Sequence, residues 1–150
     1  MNYSKSTLSG VGGWLGLLIF GLVIGGPFIG FSHLLPLKEA EKINPSLINN
    51  PAWQNYTQIS WFLFFAAAAL TIVAGIMLSR VYKKKSVQFT IIALWTSGLG
   101  YGIFQMAAAY FTLGATNFSG SIGPLFMTII ITSIWHTYLL KSVRVKNTYH

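Results

Sequence analysis

The stretch Arg80-Val81-Tyr82-Lys83-Lys84-Lys85 places four positive charges within six residues near the middle of the chain. A long apolar run without charge lies on each side of it. In the whole chain 8% of the residues are charged and the mean hydropathy is +0.59, whereas about 25% of residues are charged in a typical globular domain. The composition therefore indicates a membrane protein. The basic stretch is predicted to be the loop between two transmembrane helical hairpins.

Four apolar runs are long enough to cross a bilayer, which takes about 20 residues in a helix. The predicted spans are residues 13–35, 57–80, 87–113 and 121–140. Between and after them we expect an external loop over 36–56, a basic cytoplasmic loop over 80–86 and a cytoplasmic tail over 141–150. The predicted fold class is all-α: one domain of residues 1–150, a polytopic membrane protein with four transmembrane helices arranged as two hairpins.

The second helix is predicted to begin at Asn50-Pro51. An Asn side chain accepts hydrogen bonds from the free N–H groups of a first turn, and Pro needs no partner at the first helical position. The helical pattern continues to Tyr82, which is longer than a bilayer core requires. Its first turns, with Trp53 and Tyr56, are therefore expected in the interface, where aromatic side chains are favoured.

A cleaved signal peptide is the alternative interpretation of the first apolar run. Gly30-Phe31-Ser32 places small residues where a signal peptidase requires them. The run is longer than the apolar core of a typical signal peptide, which favours a retained span.

The distribution of basic residues predicts the orientation. Two of the ten Lys and Arg residues, Lys38 and Lys42, fall on one side of the predicted membrane, and eight fall on the other. Cytoplasmic loops carry an excess of Lys and Arg, so both termini are predicted to be cytoplasmic. The eight are Lys5, Arg80, Lys83, Lys84, Lys85, Lys141, Arg144 and Lys146.

The same basic surface is predicted to contact membrane lipids with anionic head groups, or a cytoplasmic protein partner. Its members are Arg80, Lys83, Lys84, Lys85, Lys141, Arg144 and Lys146. The sequence pI is near 9.9. Because the charges lie beside apolar spans, they are better explained by topology than by binding to nucleic acid, and no nucleic-acid partner is expected.

Glycines recur on one face of the first and third spans. They are predicted to form a helix-packing or partner face of Gly12, Gly16, Gly26, Gly30, Gly98 and Gly102. Small residues on one face let helix backbones approach closely in lipid. Packing within the chain is the favoured interpretation, and a homo-oligomer or another protein partner is the alternative.

The predicted spans contain few polar side chains. The candidate intramembrane polar residues are Gln105, Thr128, Thr132 and His136. Gln105 is expected to bond to a neighbouring helix, and the Thr hydroxyls can bond back to their own helix. Structural roles are favoured for this set, and binding of a small solute is the alternative.

No constellation for catalysis or metal binding is found in the sequence. The chain has no Cys, and His33 and His136 are predicted to lie near opposite membrane surfaces. Acidic and basic residues are missing from the interior of the spans, where proton coupling usually needs them. We therefore expect no metal, no cofactor and no enzymatic activity.

Both ends of the chain resemble one known family. Its features are Gly12-Gly13-Trp14-Leu15, followed by Gly21 and Pro27, and the exit from Ile134 to Tyr149. In that exit an aromatic pair three residues apart precedes Ser, Arg-Val-Lys, Thr and an aromatic residue, although Val143 stands where a base is expected. The chain is similar to the domain of unknown function 2569 family. The resemblance implies a four-helix protein of the bacterial inner membrane and supplies no activity.

Two functional hypotheses follow from the sequence. The first is a noncatalytic accessory or scaffold protein, because close-packing glycines and a basic surface occur without catalytic groups. The alternative is a small-solute transporter or channel subunit, since Gln105 and the Thr side chains are able to flank a cavity. A lipid-modifying enzyme is a less favoured third hypothesis.

Overall fold

A computed structural model of the chain describes residues 9–149. Within that range every regular element is a helix, and four helical segments are long and apolar enough to cross a membrane. They are Trp14–Ile43, the second span Pro51–Arg80, the third span Lys84–Leu113 and the fourth span Ser119–Lys141. The part of Trp14–Ile43 that precedes the turn at His33 is called the first span. The predicted all-α membrane fold with four spanning helices is confirmed. Lys5, one of the predicted cytoplasmic bases, lies outside the described residues.

The first and third spans each contain a short π-helical segment, which the sequence analysis did not predict. In order along the chain, the helical pieces are Trp14–Phe20, the π segment Gly21–Gly25, Gly26–Ser32, then Lys84–Trp95, the π segment Thr96–Gly100 and Tyr101–Leu113. Both π segments contain two glycines. A π segment widens one helical turn, and such segments are frequent at functional sites.

The predicted external loop over 36–56 is mostly helical. After a turn at His33 the chain forms a connecting helix, Leu35–Ile43, followed by a 3₁₀ helix, Pro45–Asn49. Two i,i+3 ion pairs stabilise the connecting helix, with N–O distances of 2.9 Å for Lys38 to Glu41 and for Lys42 to Glu39. Opposite charges at i,i+3 spacing therefore stabilise a full helix where we had expected a loop with at most one short helical turn before Asn44-Pro45.

The second span begins at the predicted cap. Asn50 Oδ1 accepts hydrogen bonds from the N–H groups of Ala52 at 2.9 Å and Trp53 at 3.3 Å. The helix ends at Arg80, two residues before the predicted end, and the third span begins at Lys84. The non-helical part of the basic loop is thus residues 81–83, shorter than the predicted 80–86, because Lys84 and Lys85 join the following helix.

The second span is the centre of the bundle. It packs against the first span on one side and the third span on the other, while the fourth span packs mainly on the third. The first and fourth spans contact each other less, which leaves a gap along the bundle. We call the end with residues 80–85, Gly10 and residues 143–149 the basic end, and the end with the connecting helix the opposite end.

The predicted cytoplasmic tail folds into a short helix, Val143–Thr148. Val145 and Tyr149 are buried, and the Tyr149 hydroxyl donates a hydrogen bond to the carbonyl of Leu78. The Thr148 hydroxyl accepts a bond of 2.9 Å from the N–H of Gly10. The tail helix therefore joins the end of the second span to the start of the first across the basic end.

Candidate functional site

Two adjoining cavities lie inside the bundle. The first encloses about 400 Å³ and the second about 390 Å³, within the range of about 300–1,000 Å³ that is usual for ligand sites. All four spans contribute to the wall of the first cavity. Side chains shared by both walls make the two cavities neighbours: His33, Gly98, Tyr101 and Thr128.

The first cavity is mainly apolar and runs towards the basic end. Residues of both π segments form part of its wall, among them Gly21, Gly25 and Ser97. A Cβ atom added at Gly21 or Gly25 would meet no atom within 4 Å apart from its own helix backbone and chain neighbours. Open space therefore lies beside these two glycines, and the cavity follows from small residues on a widened helical turn.

The basic end of the first cavity is limited by aromatic rings. Trp135 of the fourth span lines the cavity and contacts Trp14 of the first span edge-on, with ring centroids 6.3 Å apart. Trp135 also packs edge-on against Tyr138, at 5.9 Å. These contacts bring the first and fourth spans together at one end of the gap.

The second cavity lies towards the opposite end and carries the main polar cluster. Ser60 Oγ lies 2.8 Å from the Tyr56 carbonyl oxygen and 3.0 Å from Gln105 Oε1, and its single proton is shared between these two acceptors. Gln105 Nε2 donates to the Tyr101 hydroxyl at 3.0 Å. All four residues line this cavity, and Ser60 is 1% exposed. The cluster joins the second span to the third by side-chain hydrogen bonds.

One donor of this cluster has no acceptor. A hydroxyl carries one proton and an amide carries two, and the two ends of an amide can exchange places in such a network. In either orientation of the Gln105 amide, one of its N–H groups lacks an acceptor among residues 9–149. A hydrogen-bond acceptor in the cavity would satisfy that group.

Thr132 supplies a second unmatched polar group. It is 4% exposed, lines the first cavity, and its hydroxyl has no hydrogen-bond partner within residues 9–149. The hydroxyl oxygen lies 3.4 Å from where a Cβ on Gly98 would stand, which places it near the boundary between the two cavities. By contrast, Thr128 donates to the carbonyl of Pro124 at 2.9 Å.

The walls of both cavities are uncharged. No Asp, Glu, Lys or Arg of the described chain lines either one, and His33 is the sole imidazole there. Pro124 has no N–H to offer the carbonyl of Gly120, and both residues line the second cavity. Together these features make an uncharged site with hydrogen-bond donors and acceptors at one end and hydrocarbon at the other.

Four of the six predicted packing glycines lie at contacts between spans and line the cavities. A Cβ on Gly30 would stand 3.1 Å from Phe64, and one on Gly26 would stand 3.8 Å from Thr71. On Gly98 it would stand 2.9 Å from Thr128, and on Gly102 2.4 Å from Leu125. Side chains of neighbouring spans thus fill the space that these glycines leave.

The other two predicted packing glycines do not contact another span. A Cβ on Gly12 would stand 2.8 Å from Arg144 Nη1, so Gly12 lies under the guanidinium of the tail helix. Gly16 has open space around it. Gly12 is not aligned with Gly26 and Gly30 because the helix begins only at Trp14, and Gly16 is not aligned with them because the π segment Gly21–Gly25 changes the rotation between the two parts of the helix.

His136 does not join the polar stripe of Thr128 and Thr132. Its Nδ1 accepts a hydrogen bond of 3.3 Å from Trp95 Nε1, and the two rings meet edge-on with centroids 6.2 Å apart. The His136 side chain therefore takes part in a contact between the third and fourth spans. Only the two threonines of the predicted stripe line a cavity.

The predicted basic surface is present at the basic end. Arg80, Lys83, Lys84, Lys85, Lys141 and Lys146 are exposed, and Arg144 is half-buried over Gly12. The two ion pairs among residues 9–149 both lie in the connecting helix at the opposite end of the bundle. The positive charges of the basic end are thus available to anions.

Sequence reasoning missed Ser60, Tyr101 and Trp135 as parts of the site. The spacing of four between Tyr101 and Gln105 was a usable signal, since it places both on one helical face. Ser60 gave no comparable signal, because its partner lies on another span. Tyr56 was assigned to the interface alone, although it also lines the second cavity.

Comparison with known proteins gives a family and nothing more specific. The model of the family described as Protein of unknown function (DUF2569) matches residues 8–150, so the chain belongs to that family. No curated protein and no solved structure matches the chain.

Proposed function

We propose that this member of the DUF2569 family is a noncatalytic accessory protein that binds a small uncharged ligand within the membrane. The observation that carries the proposal is the polar cluster of Ser60, Tyr101 and Gln105 beside an apolar cavity. One N–H of the half-buried Gln105 amide has no acceptor in the described chain, so an acceptor on a ligand would stabilise the site by the net value of one hydrogen bond, about 0.5–1.5 kcal/mol.

The uncharged wall supports a binding role over catalysis. General acid–base chemistry usually needs a His, Glu, Asp or Lys within hydrogen-bond reach of its reaction partner. Of these types the described cavity walls hold only His33, and no side-chain hydrogen bond joins it to Ser60 or Gln105. A charged ligand would also lose its hydration without gaining a counter-charge.

The proposal is tested by filling the first cavity. Gly25→Leu places a side chain in the open space of the cavity, whereas Gly16→Leu places the same side chain in open space of the same span outside it. Native mass spectrometry of protein extracted gently from its own membrane measures bound small molecules. We expect a bound ligand in the wild type and in Gly16→Leu, and its loss in Gly25→Leu. Bare wild-type protein would contradict the proposal.

We place the protein in the bacterial inner membrane with both termini in the cytoplasm. Seven described bases at the basic end support this orientation, because cytoplasmic loops are rich in Lys and Arg. Each base near an anionic surface contributes about 1 kcal/mol to membrane attraction. Reporter fusions at residue 150 and after Asn49 measure the orientation. A cytoplasmic signal at residue 150 and a periplasmic signal after Asn49 are expected, and the reverse would contradict it.

A scaffold role would use the same basic surface to hold a cytoplasmic partner. Support comes from exposed bases without ion pairs in the described chain. Copurification from native membranes tests this role with the charge-reversal variant Lys141→Glu/Lys146→Glu. A specific partner should be lost in that variant, and retained in Lys38→Glu/Lys42→Glu at the opposite end. A wild type that carries no partner would contradict the scaffold role.

A transporter or channel subunit is the second candidate function. The two adjoining cavities extend from Trp135 near the basic end to Leu37 near the opposite end, which favours a path along the bundle. The Trp14–Trp135 contact would close that path at one end. Solute flux into liposomes should rise at least severalfold in Trp135→Ala if a path exists. Equal, negligible flux in both proteins would exclude this role.

A further inference from the structure

We infer that the ligand is an uncharged single-chain lipid of the monoacylglycerol type. Its hydroxyl-bearing head would occupy the second cavity and its hydrocarbon chain the first. This inference rests on the proposed function and names the chemical class of the ligand. It follows from how polarity changes along the two cavities, from the charge of their walls and from the gap in the bundle.

The polarity of the cavities changes from polar near the opposite end to apolar towards the basic end. The second cavity is lined at the opposite end by Leu37 of the connecting helix, and by Gly120 and Ser121 at the start of the fourth span. It therefore lies near the level of lipid head groups. The apolar first cavity extends from there to Leu17 and Trp135, near the basic end of the bundle. A lipid whose head lies at the opposite end would meet polar groups at its head and apolar groups along its chain.

The head group must be uncharged and must both donate and accept hydrogen bonds. Gln105 keeps one N–H for an acceptor, and the carbonyl of Gly120 cannot be paired by Pro124. No Asp, Glu, Lys or Arg side chain of the described residues lines the second cavity, so neither a phosphate nor an ammonium group would find a permanent counter-charge there. Hydroxyl groups satisfy both requirements.

The junction of the cavities fits a carbonyl group. Thr132 is 4% exposed, its hydroxyl makes no hydrogen bond within the described chain, and the hydroxyl lies close to Gly98, which lines both cavities. It is therefore placed to donate a hydrogen bond at the point where a polar head meets a hydrocarbon chain. In a monoacylglycerol that point is the ester carbonyl. A plain alcohol would leave the Thr132 hydroxyl without this acceptor.

The chain has a route into the first cavity from the membrane. The first and fourth spans contact each other less than the other neighbouring spans do, and the cavity is partly open. Leu17, Leu18 and Ile131 are among the apolar side chains that would contact the hydrocarbon. Entry between these two spans would not require the lipid chain to pass through water.

Binding of radiolabelled 1-monooleoylglycerol to the full-length protein in lipid nanodiscs tests the inference. We expect saturable binding of one molecule per chain, with glycerol and oleate as weak competitors. Gln105→Leu should weaken binding about 5- to 10-fold, the equivalent of one lost hydrogen bond, and Thr132→Val should act similarly. Gln88→Leu changes an exposed amide of the same span outside both cavities, and should leave binding unchanged.

The outcomes separate this inference from the proposed function. Equal competition by oleate would overturn the uncharged head, and equal competition by glycerol would overturn the need for a chain. In both cases a cavity ligand would still bind, so the proposed function would stand. No saturable binding of 1-monooleoylglycerol, with another molecule retained by the wild type and lost in Gly25→Leu, would overturn the lipid class alone. No ligand of any kind in the wild type would overturn both.

Discussion

The two halves of the bundle are made of similar apolar helices, yet the basic half holds the main buried cluster and the opposite half holds the polar cavity. The main buried cluster lies at the basic end and comprises Leu15, Leu18, Leu22, Ala74, Leu78, Val87, Ala93, Leu139, Val145 and Tyr149. Two members of this cluster, Val145 and Tyr149, come from the tail that follows the last span. Towards the opposite end, Ser60, Gln105 and Tyr101 line a cavity instead.

The difference shows that helix packing alone does not close this bundle. At the basic end the tail helix fills the space between the spans and pairs the carbonyl of Leu78 near a helix end. No described segment does the same for the gap between the first and fourth spans. Stability should therefore depend mostly on the basic end, and ligand binding on the cavities.

Truncation of a buried side chain at the basic end should have the largest effect. Leu139 is 2% exposed and its neighbour Leu140 is 55% exposed. Leu139→Ala should lower the free energy of unfolding by about 2–3 kcal/mol, because a cavity would remain in the packed core. Leu140→Ala should change it by less than about 0.5 kcal/mol. Chemical unfolding in mixed micelles measures both, and equal losses would contradict the contrast.

Loss of the tail hydrogen bond should have the next largest effect. Tyr149→Phe keeps the buried ring and leaves the carbonyl of Leu78 without its donor, which should be destabilising by about 1 kcal/mol. Tyr82→Phe is the matched control, since Tyr82 is exposed and contacts Tyr149 through its ring. The same unfolding experiment measures both. A Tyr149→Phe protein as stable as Tyr82→Phe would show that the tail bond is unimportant.

The same hydroxyl should make the tail sensitive to alkaline pH. Burial, with smaller contributions from Tyr82 and Tyr138, raises the pKa of Tyr149 to about 12. Because an unfolded tyrosine loses its proton near pH 10, the unfolded chain releases this proton first and stability falls as pH rises from about 10 towards 12. Below pH 10 no loss is expected from this group.

Melting temperatures of wild type and Tyr149→Phe between pH 8 and 11.5 measure this effect. The wild type should lose its advantage over the variant above pH 10. A constant difference across the whole range would contradict the raised pKa.

Loss of a bond in the polar cluster should have the smallest effect on stability. Ser60→Ala removes the interhelical bond to Gln105, and such bonds contribute about 0.6 kcal/mol on average within membranes. The unfolding free energy should therefore change by less than it does in Leu139→Ala. A loss above about 2 kcal/mol would show that the cluster is structural and not a binding site.

Much of the fold could be predicted from the sequence, because membrane spans depend on local composition. The lengths of the uncharged apolar runs predicted the four spans. Asn50-Pro51 predicted a helix start, which the hydrogen bonds of the Asn50 side chain confirm. The full length of the connecting helix Leu35–Ile43 was not predicted, because its polar composition is typical of a loop. The two ion pairs that stabilise this helix were not weighed against that composition. The tail helix was missed since its stability comes from contacts with Leu78 and Gly10, which are distant in sequence.

The candidate site was predictable only in part. Gln105, Thr128 and Thr132 were identified because polar residues are conspicuous in apolar spans, and all three line a cavity. Their partners were not predictable, since Ser60 meets Gln105 only when the second and third spans pack. His136 follows the two threonines at the same spacing of four residues, yet it accepts a hydrogen bond from Trp95 and does not line a cavity. Spacing defines a face of a helix, whereas the neighbouring helix decides what that face contacts.

Thiol reactivity tests the contrast between the two halves most directly. The chain has no Cys, so a single introduced thiol is unambiguous. Thr128 lines both cavities, whereas Thr90 is 0% exposed in the packed basic half. Since a thiol reacts as its thiolate, access by water and reagent determines the rate. In the folded protein we predict that Thr128→Cys reacts with a small methanethiosulfonate at least tenfold faster than Thr90→Cys. Equal protection of the two thiols would contradict an accessible cavity.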